Sequence, residues 1–406
     1  MLISSTNVTQ KTSIRLSIEK KPHHVLMLRL FPFICSMWNA NQLIDDREIH
    51  QQMKPLTYLR KLRELWVGLS TIESKWIPYR NQIQTDTYIL GSALPSTSLV
   101  EQINNLPLET ALYWDKQWIA YRSAKPTTQH NQITYLSERP DFIQYPEDLL
   151  DLNRHALKKE IKPNTINLTA LRADGNTIIH PENCHIDPSA EIKGTILDAS
   201  QGPIYIGANV KLQIGTCIQG PVAFLEDSST NVGAKIRPDT IIGSGCKVGG
   251  EVSASLFFPN SNKAHEGYLG NSIIGSFCNL GALTSTSNVR NDLKTVQLYD
   301  YASNTQRDTQ RKSFGVLMGD FVCTGIQTKF NTGTVIGNHC NVSGSQFLPK
   351  FIPSLTWGEF PNFSGYKVEK AAINALAWAE AKNQKIPENL SDIIQQIWKE
   401  EANARN

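Results

Sequence analysis

Between Asn260 and Asn271 the chain reads Asn-Ser-Asn-Lys-Ala-His-Glu-Gly-Tyr-Leu-Gly-Asn. This stretch holds an imidazole base (His265), an ammonium (Lys263), a phenol (Tyr268) and several amides. A base, a cation and hydrogen-bond donors together are the parts needed to take a proton from a nucleophile while an anionic substrate is held. A lone surface histidine is ordinarily only solvated. What sets His265 apart is its polar company and its place between two blocks of a repeat.

That repeat sets the frame. Ile206, Leu212, Ile218, Phe224, Thr230, Ile236, Ile242 and Val248 are spaced six apart, and only Thr230 is not strongly apolar. Two positions before each lies a small or β-branched residue: Ile204, Val210, Thr216, Val222, Ser228, Ala234, Thr240 and Cys246. A second block follows with Ile274, Leu280 and Thr286, and a third with Met318, Thr324, Phe330, Ile336 and Val342. A period of six fits neither a helix nor simple alternation. It fits a three-sided parallel coil, with one short strand per side and the large apolar residues inside. One coil cannot bury its own interior, whereas stacked coils bury a continuous core. The solenoid is placed over 186–342. Residues 255–270 and 287–315 break the period and are read as long polar loops, where function concentrates. The first is expected to form a protruding flap that carries Lys263, His265 and Tyr268 beside Asn279.

With 406 residues, the chain is long enough for two or three domains. Its 40 basic and 37 acidic residues give a net charge of +3, which argues against a nucleic-acid binder. The seven cysteines form no Cys-x-x-Cys pair and no regular framework, so they read as buried thiols in a reducing, cytoplasmic setting. No apolar run reaches the ~20 residues of a membrane helix, and no membrane partner is expected. Residues 1–40 read as an extension, either disordered or upstream of a true start at Met37. A secretory signal is disfavoured because Arg29 and Pro32 interrupt its apolar run.

Residues 41–160 read as a small α/β unit. It has a strand at Leu43-Ile44, a helix over 59–76, a strand at 88–90, a hairpin turning at Asp115-Lys116, and a helix over 149–161. The solenoid domain is taken as 161–366. Two helices, 367–379 and 387–401, form a C-terminal cap (367–406) expected to cover the last coil.

Several segments together resemble a known family. They are Leu43-Ile-Asp-Asp-Arg47, Lys54-Pro-Leu-Thr57, Val67-Gly-Leu-Ser-Thr-Ile-Glu-Ser-Lys-Trp76, Gly202-Pro-Ile-Tyr-Ile-Gly207, Gly249-Gly-Glu-Val252, the Asn260–Asn271 stretch, Met318-Gly-Asp320 and Phe330-Asn-Thr-Gly-Thr334. The chain resembles the bifunctional N-acetylglucosamine-1-phosphate uridyltransferase/glucosamine-1-phosphate N-acetyltransferase family, as a shortened, divergent bacterial variant. The resemblance implies an α/β nucleotidyltransferase-like N-terminal domain, a left-handed parallel β-helix of hexapeptide repeats with C-terminal helices, and a homotrimer. It implies acetyl transfer from acetyl-CoA to an amino-sugar phosphate or a nucleotide-activated amino sugar.

The resemblance also assigns roles. His265 matches the general base. Arg237, Tyr268, Asn279, Asn288 and Lys294 match substrate-binding residues, and Ala282 matches a backbone donor near the thioester; the charge of Lys263, apart from the resemblance, adds it to Arg237 and Lys294 as a phosphate clamp. These roles are chemically coherent: the amine must lose a proton, the thioester oxygen must meet donors, and the phosphate needs cations. In the N-terminal domain Arg60 and Lys61 are a faint echo of a nucleotide clamp. Mg²⁺ is expected only if that domain is active, and no metal-binding set is assigned.

Some positions depart from the family. The family's Gly-Ala-Gly-Thr is Gly281-Ala-Leu-Thr284 here, Val289 replaces a tyrosine, no Gly-rich loop follows Leu43-Ile44, and Ser92 stands where a metal-binding aspartate belongs. Three rivals remain: nucleotidyl transfer as the only activity, a non-catalytic sugar-nucleotide-binding scaffold, and a γ-class carbonic anhydrase. The last needs a His-x₄-His pair that His185, His265 and His339 do not provide.

Overall fold

The computed structural model describes residues 42–127 and 130–405. The expectations for residues 1–40 lie outside the described residues.

The N-terminal part is a five-stranded sheet with order β1-β4-β6-β5-β7. Its strands are β1 (Leu43–Ile44), β4 (Thr87–Leu90), β5 (Thr110–Trp114), β6 (Gln117–Arg122) and β7 (Gln132–Tyr135), and a separate pair is formed by β2 (Trp66–Val67) and β3 (Ser70–Thr71). β1 runs parallel to β4, and the β5–β6 hairpin turns at Asp115, which takes φ 50°. Helices α1 (Arg47–Gln52), α2 (Ile72–Trp76), α3 (Thr97–Asn104) and α4 (Asp148–Glu160) pack around the sheet.

The helix expected over 59–76 does not form. Gly68 adopts φ 61° at the β2–β3 turn, and a Cβ there would lie 2.4 Å from Glu160 Oε2. The chain therefore reverses, and only Ile72–Trp76 is helical, capped by the Thr71 hydroxyl, which accepts from the Ser74 N–H.

After α5 (Leu168–Ala173) the chain winds into a three-faced parallel solenoid. One face runs from Thr177–Ile179 to Tyr268–Gly270 and is continued by Ser285–Thr286 and Lys329–Phe330. The second runs from Cys184–Ile186 to Phe351–Ile352. The third runs from Glu191–Ile192 to Thr356–Glu359. The eight hexad residues from Ile206 to Val248 are at most 2% exposed. The eight small residues two positions earlier are also buried. They fill the core beside the large ones rather than merely turning the corners. Thr230 is tolerated inside because its hydroxyl meets Thr216 Oγ1 at 2.8 Å and accepts from Gln213 N at 2.9 Å.

Residues 255–270 form no flap. They continue the coil with strands Leu256–Phe257, Asn262–Lys263 and Tyr268–Gly270. The inward residues are Phe257, Lys263 and Leu269, in register with Ile274, Val248 and Val252 respectively. One coil here is shortened: the inward residues step from Val248 to Val252 and then to Phe257, which shifts the hexad phase.

Residues 287–315 do leave the solenoid. They build an antiparallel hairpin (Gln297–Asp300 with Thr305–Asp308) whose stem closes where Phe314 N donates to Asn288 O at 2.9 Å.

The C-terminal helices α6 (Val368–Ala381) and α7 (Leu390–Glu400) lie against the flank rather than over the end. From Leu355, beside the start of α6, the packing runs back past Cys323, which bonds Trp378, to Gly245 and Asn262, both held by Lys382. One corner column prepares this seat. Asn209, Asp227, Gly245, Asn260, Phe277, Phe321, His339 and Leu355 succeed one another there, each with positive φ. The early members are residues that tolerate the left-handed region. Phe321 and Leu355 accept the strain in exchange for burial in the helix cluster, where Phe277 also packs. Among the described residues, no helix is long and apolar enough to cross a membrane.

Candidate functional site

The outward side of the first face collects three of the expected acceptor residues, Arg237, Tyr268 and Asn288. Lys235, Glu251 and Tyr268 stand side by side on adjacent strands. Arg237 Nη1 lies 3.4 Å from Glu251 Oε1. The Tyr268 hydroxyl is hydrogen-bonded to Asn288. Burial pushes its pKa up, Glu251 adds to the rise, and Arg237 and Asn288 oppose it. Asn288 Nδ2 also donates to Asn271 Oδ1 at 2.7 Å. Arg237, Tyr268 and Asn288 thus form one half-exposed patch with a guanidinium, a phenol and an amide. Glu251 and Asn271 belong to it and were not assigned from sequence. The pairing of strands 17 residues apart, which only the coil length reveals, is what brings Glu251 to Tyr268.

His265 is exposed at the corner between the third face and this patch, three residues before Tyr268. One coil further along, Leu283 N donates to Glu266 O at 2.8 Å, which sets Ala282 beside His265. The same corner continues into a groove of about 670 Å³ lined by Leu283, Ser285, Ile326, Gln327, Lys329 and Ser345 among others. Leu283, at φ 63°, lines the groove without closing it.

Three expected site residues stand elsewhere. Lys263 is no surface clamp. It is 1% exposed and occupies the inward position between Val248 and Leu280. Its ammonium donates to the carbonyls of Gly249 (3.0 Å) and His265 (2.8 Å), and burial draws its pKa down to about 8. It therefore anchors the backbone at His265 from within. Asn279 is on the third face, in the ladder Asn262–Asn279–Cys323, where Lys382 at the end of α6 bonds Asn262. One chain does not bring it to the Arg237 patch. Lys294 is exposed on the 287–315 excursion, and its N–H donates to Asp292 at 3.3 Å.

In the N-terminal domain, Arg60 is engaged in the joint with the solenoid. It donates to Asp320 Oδ1 (2.6 Å), Ser276 Oγ (3.2 Å) and Leu56 O (2.8 Å), and its guanidinium lies 4.5 Å from the Phe258 ring centroid. Lys61 is exposed nearby. Neither lines the domain's cavity of about 760 Å³, which opens beyond the carboxyl end of β1. That cavity has Asp45, Asp46, Arg47 and Glu48 on one side and Tyr113, Trp118, Tyr121 and His130 on the other. A magnesium site does not fit it. Asp46 accepts from Glu48 N, Ile49 N and Trp118 Nε1, one Asp45 oxygen accepts from Leu62 N, and Ser92 is fully buried.

Comparison with known proteins adds the following. The family described as "Sugar nucleotidyl transferase" matches residues 78–166, the span of β4–β7 and α4, which makes this domain nucleotidyltransferase-like. The "Bifunctional protein GlmU" of Methanocaldococcus jannaschii is 38% identical over 126 residues, 30% of each chain. That of Methanococcus aeolicus is 32% identical over 197 residues, 45% of this chain and 47% of its own. The "Bifunctional sugar-1-phosphate nucleotidylyltransferase/acetyltransferase" of Sulfurisphaera tokodaii is 26% identical over 266 residues, 64% of this chain and 62% of its own. The chain thus spans less than two thirds of each of these archaeal relatives. Among solved structures, a hexapeptide transferase family protein from Anaplasma phagocytophilum aligns with 54% of this chain and 96% of its own, at 12% identity and a TM-score of 0.27.

Proposed function

We propose that the chain is a divergent member of the bifunctional sugar-nucleotide group and acts as an acyltransferase. It moves an acetyl group from acetyl-CoA to the amine of an amino-sugar phosphate or a nucleotide-activated amino sugar. The observation that carries this is the single patch of Arg237, Tyr268 and Asn288 with His265 at its edge and Ala282 one coil above.

The chemistry follows from that arrangement. Arg237 holds the phosphate, while Tyr268 and Asn288 orient the sugar. His265 takes a proton from the amine, whose nitrogen attacks the thioester carbon. The carbonyl oxygen gains charge and is met by the Ala282 N–H. The C–S bond breaks, and the thiolate leaves with the proton returned by His265. The groove above Leu283 suits the donor's pantetheine arm.

The same corner exposes Ile214, Val232, Leu283 and Ile326. A row of exposed apolar side chains supports contact with further copies of the chain, and we take the assembly to be a cytoplasmic homotrimer.

The test is direct. Acetyl-CoA is incubated with a panel of amino-sugar 1-phosphates and nucleoside-diphosphate amino sugars, and N-acetylated product is read by mass. His265→Asn is expected to lower kcat by about 10²–10⁴-fold. No turnover of any acceptor by the wild type, or full activity in the variant, overturns the reading.

A second reading concerns the N-terminal domain. Its aromatic-walled cavity beyond β1, where open α/β sheets take ligands, favours a nucleotide there rather than at Arg60 and Lys61. Trp118→Ala is expected to abolish thermal stabilisation by nucleoside triphosphates. Unchanged stabilisation in that variant would remove the cavity from consideration.

A further inference from the structure

Helix α4 belongs to the N-terminal domain, yet one of its faces is turned to the acceptor patch. Glu147, Asp151 and Arg154 follow one another at helical spacing, so they share that face. Glu147 takes a bidentate contact from Arg307, Nη1–Oε1 at 2.7 Å and Nη2–Oε2 at 2.9 Å, with the guanidinium 3.8 Å from the Tyr145 ring centroid. Asp151 takes a second bidentate contact from Arg311, with Nη1–Oδ1 at 2.8 Å. Arg154 Nε donates to Asp239 Oδ2 at 2.8 Å.

The far ends of these contacts matter. Asp239 lies two residues after Arg237, at the same solenoid corner. Arg307 and Arg311 lie in the returning limb of the 287–315 excursion, whose outgoing limb carries Asn288 and Lys294. The two limbs are tied together: Val296 N donates to Arg311 O at 2.7 Å, Val289 bridges Ser313, and Phe314 N donates to Asn288 O at 2.9 Å. The opposite side of α4 is fixed within its own domain. Gly68 N donates to Asn153 Oδ1 at 2.6 Å, and Lys75 pairs with Glu160 at 2.5 Å.

We propose that Arg311 and Arg307, clamped on Asp151 and Glu147, are positioning residues for the sugar-phosphate acceptor. They hold the excursion so that Asn288 stays bonded to Tyr268 beside Arg237. This rests on the reading of that patch as the acceptor site. It gives the N-terminal domain a role in acyl transfer separate from any nucleotide chemistry. Bidentate guanidinium–carboxylate pairs suit the task because they fix orientation as well as distance. Besides these pairs the excursion is held at its stem, by the buried side chains of Val296 and Leu298, and by Tyr299 and Tyr301 against Phe351, none of which fixes the direction of its outgoing limb by charge.

The experiment uses charge reversal at the more exposed pair. Arg311→Asp is expected to raise KM for the amino-sugar phosphate at least tenfold while leaving KM for acetyl-CoA unchanged. The reversed pair Arg311→Asp with Asp151→Arg should restore most of the lost affinity. Hydrogen exchange, read on the full chain without substrate, should speed up in residues 287–296 of the single variant and not in the solenoid strands. An unchanged acceptor KM, equal losses for both substrates, or no rescue by the reversed pair overturns the proposal. If the wild type acetylates no acceptor, the functional reading fails on its own account. The exchange measurement then still decides the clamp, since unaltered exchange in Arg311→Asp overturns it.

Discussion

Lys263 reaches the backbone of His265 from inside the core rather than from the surface. It stands where neighbouring coils carry Val248 and Leu280, and its ammonium holds the carbonyl of His265 from inside the core. Its folded pKa, about 8, lies below the 10.5 of a free lysine. Between those values the unfolded chain binds a proton that the native chain does not, so native stability rises as pH climbs from about 8 to 10.5. A shift of that size corresponds to roughly 3 kcal/mol. Lys263→Met is therefore expected to lose this rise and to be neutral or stabilising at pH 7, since replacing a buried charge by an apolar chain of similar volume often is. Acetyl transfer should nevertheless fall, because the His265 carbonyl loses its anchor. Chemical denaturation of both proteins across that pH range, beside kcat, checks the pair of outcomes. His339 has the same physics at the acid end. It is buried, stacked on Phe321 at 4.9 Å, its Nε2 has no partner, and burial draws its pKa down to about 3 from 6.5. The unfolded chain alone takes up the proton between those values, so stability drains away as pH falls from about 6.5 toward 3. His339→Phe, matching Phe277 and Phe321 in the same column, should gain stability over the wild type increasingly below pH 6. A difference that stays flat from pH 7 to 4 would refute this.

At the scale of elements, the solenoid rests on a column of inward side chains. Phe224 is fully buried within it, and Phe224→Ala should destabilise by about 3–5 kcal/mol, read as an earlier denaturant midpoint. Most of this architecture was legible because a six-residue period is enforced by every coil at once, and one chance apolar residue does not imitate it. The lost register at 255–270 has a specific cause. Counting six from Val248 lands on Ala254, Asn260, Glu266 and Ser272, while the coil loses two residues between Val248 and Val252 and one more before Phe257, and then puts a lysine at an inward slot. Both events make buried strands look like a polar loop. Residues 59–76 misled for another reason. Their apolar spacing suits a helix, but Gly68 turns the chain back against Glu160, a partner about ninety residues away in sequence. At the candidate site, the resemblance named Arg237, Tyr268 and Asn288, and the fold brings these three together. Glu251, and the α4 carboxylates behind the excursion, depend on contacts between distant segments that no local spacing records.

The molecule as a whole is held together by charged joints between its parts, and the Arg60–Asp320 pair is the most enclosed of them. Asp320 is 1% exposed and also accepts from Ser276 N at 2.6 Å. Further along the same boundary Lys54 meets Glu400 at 2.7 Å, and Tyr58 is hydrogen-bonded to Glu401. This arrangement makes opposite forecasts for the two jobs Arg60 could have. A nucleotide clamp, once truncated, loses triphosphate affinity and leaves stability alone. A joint, once truncated, strands a buried carboxylate at a penalty of about 3–5 kcal/mol. Arg60→Ala is therefore expected to lower Tm by several degrees while nucleoside triphosphates still stabilise the protein. Asp320→Ala should do nearly the same, and the double variant should be little worse than either, because the two groups act as one unit. Additive losses in that cycle, or triphosphate binding that vanishes with Arg60 at unchanged Tm, would return Arg60 to the nucleotide site and leave the seam to its remaining contacts.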